Sequence, residues 1–243
     1  IAEIVVVGGV RRSALISLSD LGDDQMRTAK SGRWWEENPQ RALANNSTNY
    51  HTKPDVGTFL REWTALYESK SGERGIFSSF NANKKCLELN GRREEREDFG
   101  TNPCSEIILR SREFCNLSEV IVRSGDKIED LKRKVKLATI LGTWQSTLTH
   151  FRYLSGDWKV NCEEERLLGV SLTGIMDNFL LNKLSTDLPI ILDDMKKDCI
   201  KVNKEWSKKL SINPASAITC VKPSGTVSQL VDSASGIHAR HAP

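Results

Sequence analysis

Leu168-Gly169-Val170-Ser171-Leu172 is a short apolar run between two long stretches of helical periodicity, and its reading decides the fold class. Upstream, Ile128, Leu131, Val135, Ala138, Leu141 and Leu148 recur at three- and four-residue spacing and predict a helix from about Lys127 to His150. Downstream, Gly174 leads into another helix, and Leu188–Leu210 reads as a further long amphipathic one. The alternation continues in the N-terminal half. Ala14-Leu15-Ile16-Ser17-Leu18 reads as a strand, a polar stretch of helical tendency runs from Asp20 to about Lys30, and Asp55 caps a helix bearing Val56, Phe59, Leu60, Trp63, Leu66 and Tyr67. Short strands are expected at Glu106–Leu109 and Glu119–Val122, and Ala217-Ile218-Thr219-Cys220-Val221 is a β-branched run. Strands alternating with long helices make an α/β architecture, a single domain or part of one.

The chain has 243 residues, a net charge of +3 and 28% charged residues, with both signs spread along its length. Nothing in that pattern supports a nucleic-acid or membrane surface built on bulk charge, so a partner must be recognised locally. No run approaches the roughly 20 apolar residues that cross a bilayer. The opening Ile1-Ala2-Glu3-Ile4-Val5-Val6-Val7 lacks an initiator Met and reads as an element entered midway, which points to a fragment. Six cysteines, at 86, 104, 115, 162, 199 and 220, are scattered without any Cys-x-x-Cys pair, in keeping with a reducing, cytoplasmic setting and no zinc site. Cys86, Cys162 and Cys199 read as packing residues and Cys220 as a buried strand residue. The charge-dense stretch 88–98 reads as a solvated loop or helix face and carries no functional expectation.

Four motifs carry chemistry. In Asn102-Pro103-Cys104-Ser105-Glu106, an extended backbone would put the amide, the thiol and the carboxylate on one face. A carboxylate takes protons, an amide holds a hydroxyl, and a thiol serves as nucleophile, metal ligand or one-electron carrier; a structural cysteine beside two surface polar residues is the competing reading. Cys115 follows eleven residues after Cys104, in Phe114-Cys115-Asn116-Leu117. Lys222-Pro223-Ser224-Gly225-Thr226-Val227-Ser228 runs from a strand into a tight turn and helix, where backbone N–H groups and three hydroxyls suit an anion; an ordinary helix cap is the alternative. Gly8-Gly9-Val10-Arg11-Arg12-Ser13 is a basic, glycine-hinged loop that suits phosphate or a stacked base. His238 and His241 stand three apart without a carboxylate at helpful spacing, so no metal set is assigned.

Taken together, these motifs resemble the catalytic barrel of a ribonucleotide reductase large subunit, most closely the adenosylcobalamin-dependent class. Supporting phrases are Gly9-Val10-Arg11-Arg12-Ser13-Ala14, Glu68-Ser69-Lys70-Ser71-Gly72-Glu73-Arg74-Gly75, Asn102-Pro103-Cys104-Ser105-Glu106-Ile107, Gly169-Val170-Ser171-Leu172-Thr173-Gly174 and Lys222-Pro223-Ser224-Gly225-Thr226. The resemblance implies that residues 1–243 are a portion of the ten-stranded α/β barrel, without the family's N-terminal region and C-terminal tail. It implies Cys104 as the thiyl-radical residue, Glu106 as general base on the 3′-hydroxyl, Asn102 as a ribose-holding amide and Cys115 as one of two reducing thiols, its partner lying upstream of this chain. Ser224, Gly225, Thr226, Val227 and Ser228 would bind substrate phosphates, and Gly9, Val10, Arg11, Arg12 and Ser13 would belong to the specificity loop. Adenosylcobalamin, a ribonucleoside di- or triphosphate, deoxynucleotide or ATP effectors and a thioredoxin-like or glutaredoxin-like reductant are the implied cofactor and partners. Two alternatives stand beside it: a radical drawn from a separate metal-containing subunit, and an inactive nucleotide-binding fragment associating with a larger reductase.

Overall fold

The computed structural model describes residues 14–88 and 92–240. The chain divides into two compact units, Ile1–Ser111 and Arg112–Pro243.

The first unit is built on a three-stranded parallel sheet in the order β1 (Leu15–Ser19), β2 (Ala44–Asn49), β3 (Gly75–Phe77), with Leu15 opposite Ala44 and Ser47 opposite Gly75. Parallel neighbours need crossovers. Helices α1 (Asp24–Thr28) and α2 (Trp34–Glu37) with a 3₁₀ turn at Pro39–Leu43 make the first, and α3 (Val56–Ser69) makes the second. Asp55 caps α3 as expected, its carboxylate accepting from the Thr58 N–H at 3.0 Å, whereas α1 starts later than the Asp20 expected and is capped by Asp23, which accepts from the Met26 N–H at 2.9 Å.

The apolar stripe expected on α3 is largely exposed, with Val56 at 74% and Tyr67 at 80%, and the buried residue of this helix is Glu62. Its carboxylate takes hydrogen bonds from Arg74 Nε and Nη2 at 3.1 and 2.9 Å and from Arg27 Nε at 2.5 Å, while Arg74 Nη1 donates to Ser19 Oγ at 2.9 Å. Periodicity identifies residues that share a face, but the buried guanidinium of Arg74 and the half-buried one of Arg27 need a carboxylate between them, and that requirement turned the helix.

Helix α4 (Ser79–Leu87), capped by Ser78, buries Ala82 and Cys86 against Phe77 and Phe99. Beyond it, β4 (Gly100–Thr101) and β5 (Ile108–Leu109) form an antiparallel pair, Gly100 opposite Leu109. The described part of the charge-dense stretch is a loop with Glu94, Glu95, Glu97 and Asp98 exposed, as expected, but two of its charges are engaged by the hairpin. Arg93 is buried, lies 4.8 Å over the Phe99 ring and donates to the Ile108 carbonyl at 2.9 Å, and Asp98 accepts from the Ser111 N–H at 3.1 Å. Charge here fastens the hairpin, because a guanidinium can cover an aromatic face and satisfy a carbonyl at once.

In the second unit β6 (Asn116–Ile121) pairs in parallel with β7 (Leu168–Thr173) over six positions, and Thr219 bridges in parallel to Val170. The β-branched run 217–221 does not form a full strand but lies along β7 through that bridge and three backbone hydrogen bonds, from the Leu168 N–H to the Ala217 carbonyl, the Val170 N–H to the Ile218 carbonyl and the Cys220 N–H to the Val170 carbonyl. Helices α5 (Ile128–Gln145), α6 (Gly156–Glu165) and α7 (Leu188–Leu210) complete the unit, α7 with the bounds its periodicity gives. Val120, Val122, Leu168 and Val170 pack with Leu131, Val135 and Ala138 of α5 and with Met195 and Cys199 of α7.

Helix α5 ends at Gln145, short of the expected His150, and its buried stripe departs from the apolar pattern. Leu141 and Leu148 are exposed, whereas Thr139, Gly142, Thr143 and Ser146 are buried. Each threonine hydroxyl donates to the carbonyl four residues back, at 2.8 and 2.7 Å, and Asn203 Nδ2 of α7 donates to Thr143 Oγ1 at 3.0 Å. Small self-satisfied hydroxyls can be buried where leucines would hold the helices apart. After β7 the expected helix is a single 3₁₀ turn, Ile175–Asp177. Asn178 ends it by donating to the Arg123 and Asp126 carbonyls at 2.8 and 3.0 Å. Among the described residues, no helix is long and apolar enough to cross a membrane.

Candidate functional site

Asn102 through Glu106 is a turn joining β4 to β5, which corrects the expected extended segment and its shared side-chain face. The Ser105 N–H donates to the Asn102 carbonyl at 2.9 Å, the bond that closes a β-turn with Asn first and Pro second. Asn102 Oδ1 accepts from the Ile107 N–H at 3.0 Å, Thr101 Oγ1 donates to the Ile107 carbonyl at 2.9 Å, and Ser105 takes φ of 62°. Asn45 Nδ2 of β2 donates to the Pro103 carbonyl at 2.9 Å and ties the turn to the parallel sheet. Cys104 thereby stands exposed at the tip, with Asn102 and Glu106 half-buried on its two flanks. Asn-Pro is itself a turn signal, since Asn accepts from later N–H groups and Pro presets the second position; weighing it above the short apolar run would have found the turn.

Cys115, half-exposed, immediately precedes β6 as expected. Asn116 fixes that strand end by donating its backbone N–H and its side-chain amide to the Leu167 carbonyl at 2.8 and 3.1 Å. On the other side, Phe114 packs edge-on to Phe151 at 5.0 Å and against Trp158 at 5.8 Å. Cys220, expected to be buried, is half-exposed, whereas Cys86, Cys162 and Cys199 are buried. Burial pushes the Cys199 thiol above its ordinary pKa, an inert setting.

The 222–228 motif folds as a turn leading into the short helix α8 (Thr226–Leu230). Gly225, Thr226 and Val227 are exposed. Ser228 is buried and its hydroxyl donates to the Ser224 and Gly225 carbonyls at 2.6 and 2.8 Å, so it closes the turn. Ser224 is also buried, with φ of 52° and an Oγ that has no hydrogen-bond partner.

A loop absent from the sequence expectations braces this turn. Ser235 Oγ donates to the Pro223 and Ser224 carbonyls at 2.8 and 2.6 Å, and the Gly236 N–H to Thr173 Oγ1 of β7 at 3.0 Å. Gly236 has φ of 53°, and a Cβ there would lie 2.7 Å from the Lys222 carbonyl oxygen, so this approach needs glycine. Asp177 accepts from the Ala234 N–H at 2.8 Å and from Arg240 Nε at 2.9 Å, and Arg240 also donates to Asp232 at 2.6 Å. The Arg240 hydrogen bond, with that of Ala234, holds the Asp177 carboxyl below the usual aspartate range. Asp177 and Arg240 lie 63 residues apart, and no local pattern relates them.

The expected specificity loop, Gly9 to Ser13, and His241 lie outside the described residues. Among the described residues, no group of three or more His, Cys, Asp and Glu could hold a metal ion. A largely apolar cavity of about 520 Å³ in the second unit is bordered by Val135, Val170, Leu181, Met195 and Cys220.

The structure superposes on a crystal structure of a B12-dependent (class II) ribonucleotide reductase with a TM-score of 0.71 and 24% identity, covering 93% of this chain and 34% of that one. That likeness carries the α/β fold. In sequence, adenosylcobalamin-dependent ribonucleoside-triphosphate reductases of Lactobacillus acidophilus and Lacticaseibacillus paracasei are each 31% identical to it over 100% of this chain and 35% of theirs. The enzyme of that name from Lactobacillus leichmannii is 27% identical over 98% of this chain and 35% of its own. The chain is therefore related to the adenosylcobalamin-dependent ribonucleotide reductases and spans 35% of the length of these relatives. No protein-family model matches it.

Proposed function

We propose that this chain is part of a reductase that converts ribonucleotides to 2′-deoxyribonucleotides by thiyl-radical chemistry, its strands belonging to a ten-stranded α/β barrel. One observation carries the reading. In a chain aligned along its whole length with adenosylcobalamin-dependent reductases, a tight turn presents an exposed thiol, Cys104, between an amide and a carboxylate.

Cys104, as a thiyl, takes the hydrogen atom from ribose C3′ and returns it at the end of the cycle, since an S–H bond is weak enough to exchange hydrogen with a carbon radical. Glu106 accepts the 3′-hydroxyl proton as charge develops. Asn102 spends its oxygen on the Ile107 N–H, which leaves its NH₂ as the end that can donate to a ribose hydroxyl oxygen. Cys115 supplies one electron and one proton as water leaves C2′, and a second thiol from the reductase outside this chain supplies the other, the two closing to a disulfide. The Gly225 N–H and the Thr226 hydroxyl face the substrate phosphates on a turn closed by Ser228, and Gly9 to Ser13 relay the identity of a bound deoxynucleotide or ATP effector.

Adenosylcobalamin supplies hydrogen-abstracting radical chemistry when bound, and the described residue that fits this chemistry is the exposed Cys104 thiol. A thioredoxin-like or glutaredoxin-like protein in the cytoplasm restores the dithiol.

The test assays the full-length protein with each of the four ribonucleotides, with and without adenosylcobalamin. Turnover that needs the cofactor and disappears in Cys104→Ser is expected, with Cys115→Ser blocked in multiple turnover. Turnover persisting in Cys104→Ser would overturn the radical assignment, and turnover without cobalamin but with an added metal-containing subunit would overturn the class.

A further inference from the structure

Gly169 lies in the middle of the β6–β7 ladder, directly opposite Leu117. A Cβ built on it would collide with Leu117 Cδ2 and would lie 3.2 Å from Cys115 Sγ and 3.2 Å from Cys220 Sγ. Two sulfurs equally close to one point stand at most twice that distance apart. The chain therefore brings together two thiols 105 positions apart, one just ahead of β6 and one beside the Thr219 bridge, over a glycine whose open face they share with the Leu117 Cδ2 methyl. Side chains alternate along a strand, so Cys115, Leu117 and Glu119 share a face that is opposite to Val120, Val122 and the helix-packed core. Both cysteines are half-exposed, so small molecules can reach them.

We propose that Cys115 and Cys220 form a dithiol site across Gly169 that closes to an intramolecular disulfide by exchange with a low-molecular-weight disulfide of the oxidised-glutathione type. The Cys115 thiolate attacks one sulfur of the oxidant, forming a mixed disulfide and releasing one small thiol. The Cys220 thiolate then attacks Cys115 Sγ, forming the Cys115–Cys220 bond and expelling the second small thiol. Two protein thiols are oxidised and one small disulfide is reduced to two thiols. A dithiol reductant runs the exchange backwards.

Gly169 permits the closure. A disulfide needs its sulfurs at about 2.05 Å, so both side chains must rotate towards each other as the exposed Leu117 side chain swings aside, and a Cβ at position 169 would crowd all three. On the reductase reading, and resting on it, the closed form withdraws Cys115 from substrate reduction and makes Cys220 a redox lock on the reducing thiol.

The test uses the full-length protein, reduced, desalted and incubated with oxidised glutathione under native conditions, then alkylated and mapped by peptide mass. A peptide joining Cys115 to Cys220 is expected, with the mass of two hydrogen atoms lost, no glutathione retained on either residue, and reversal by dithiothreitol. Cys220→Ser, which leaves Gly169 in place, should yield no such peptide, with Cys115 found instead as the glutathione adduct or bonded to the second reducing thiol of the full-length protein. Gly169→Val should lower the yield of the cross-linked peptide while both thiols still alkylate. The proposal is overturned when Cys220 is fully alkylated in every sample in which Cys115 is oxidised, or when neither thiol reacts in the folded protein. Because the readout is covalent mass, failure of the reductase assay and failure of this site are separate results.

Discussion

Cys104 and Cys115 are held by very different means. Cys104 tops a hairpin whose strands pair over two residues each, and its turn is fixed by the Asn102 side chain, Thr101 and a bond from Asn45. Cys115 leads into a six-position parallel ladder backed by the helix-packed core of the second unit. On the proposed reading, the thiol that meets a substrate carbon needs exposure, which a turn built from local side-chain bonds provides, and the thiol that exchanges with other thiols needs a fixed bearing, which an anchored strand provides. Local bonding of the first kind belongs to the low-stability end of a fold, so the two sites should respond to mutation in opposite ways.

The largest expected contrast concerns chemistry at the turn. Glu106→Gln should keep nucleotide binding, measured by equilibrium dialysis, while slowing turnover by on the order of 10²- to 10⁴-fold. Lost binding with an unchanged residual rate would remove Glu106 from the base role. Stability should move first in the other region. Leu131→Ala, truncating a fully buried side chain of α5, should cost about 2–5 kcal/mol in urea unfolding. A cost well below that would mean that the sheet supporting Cys115 is not held by this core.

Asn102→Asp separates two roles of one side chain. The carboxylate keeps an acceptor for the Ile107 N–H but has no NH₂, so unfolding should change by about 1 kcal/mol or less while turnover falls. Equal loss in Asn102→Asp and Asn102→Ala with an unfolded hairpin would reduce the residue to a turn former.

The smallest effect is expected at Asp177. Its folded pKa is depressed by the Arg240 hydrogen bond, so its contribution to stability is present above the ordinary aspartate value of 3.8 and is lost as pH falls through the folded value. Thermal melts across acidic pH should show that limb in the wild type and a flatter one in Asp177→Asn. Identical limbs would mean that the Arg240 brace does not persist in solution.

Much of the fold is written locally. The cap at Asp55, the strand at Leu168, the bounds of α7 and the position of Cys115 just ahead of a strand follow from hydrogen-bonding side chains and periodic apolar residues. Where reading fails, longer-range forces decide. Glu62 faces inward because Arg74 and Arg27 need it, Thr139 and Thr143 replace leucines under α7 because they satisfy themselves, and Arg93 is buried because Phe99 and the Ile108 carbonyl receive it. The candidate site divides the same way. Asn102, Cys104 and Glu106 are legible as a chemical set, but they sit around a turn and not on one strand face, because the Asn102 side chain and Pro103 fold the backbone there.

Residue order alone determined the α/β alternation and the thiol flanked by an amide and a carboxylate, because propensity, capping and side-chain chemistry act over a few positions. Only the tertiary structure decided that Cys104 stands at a hairpin tip, that Asp177 and Arg240 brace the loop behind the 222–228 turn, and that Cys220 meets Cys115 over Gly169. Such meetings depend on strand pairing and helix packing between segments far apart in the chain, and no local pattern records which of two faces that packing will cover.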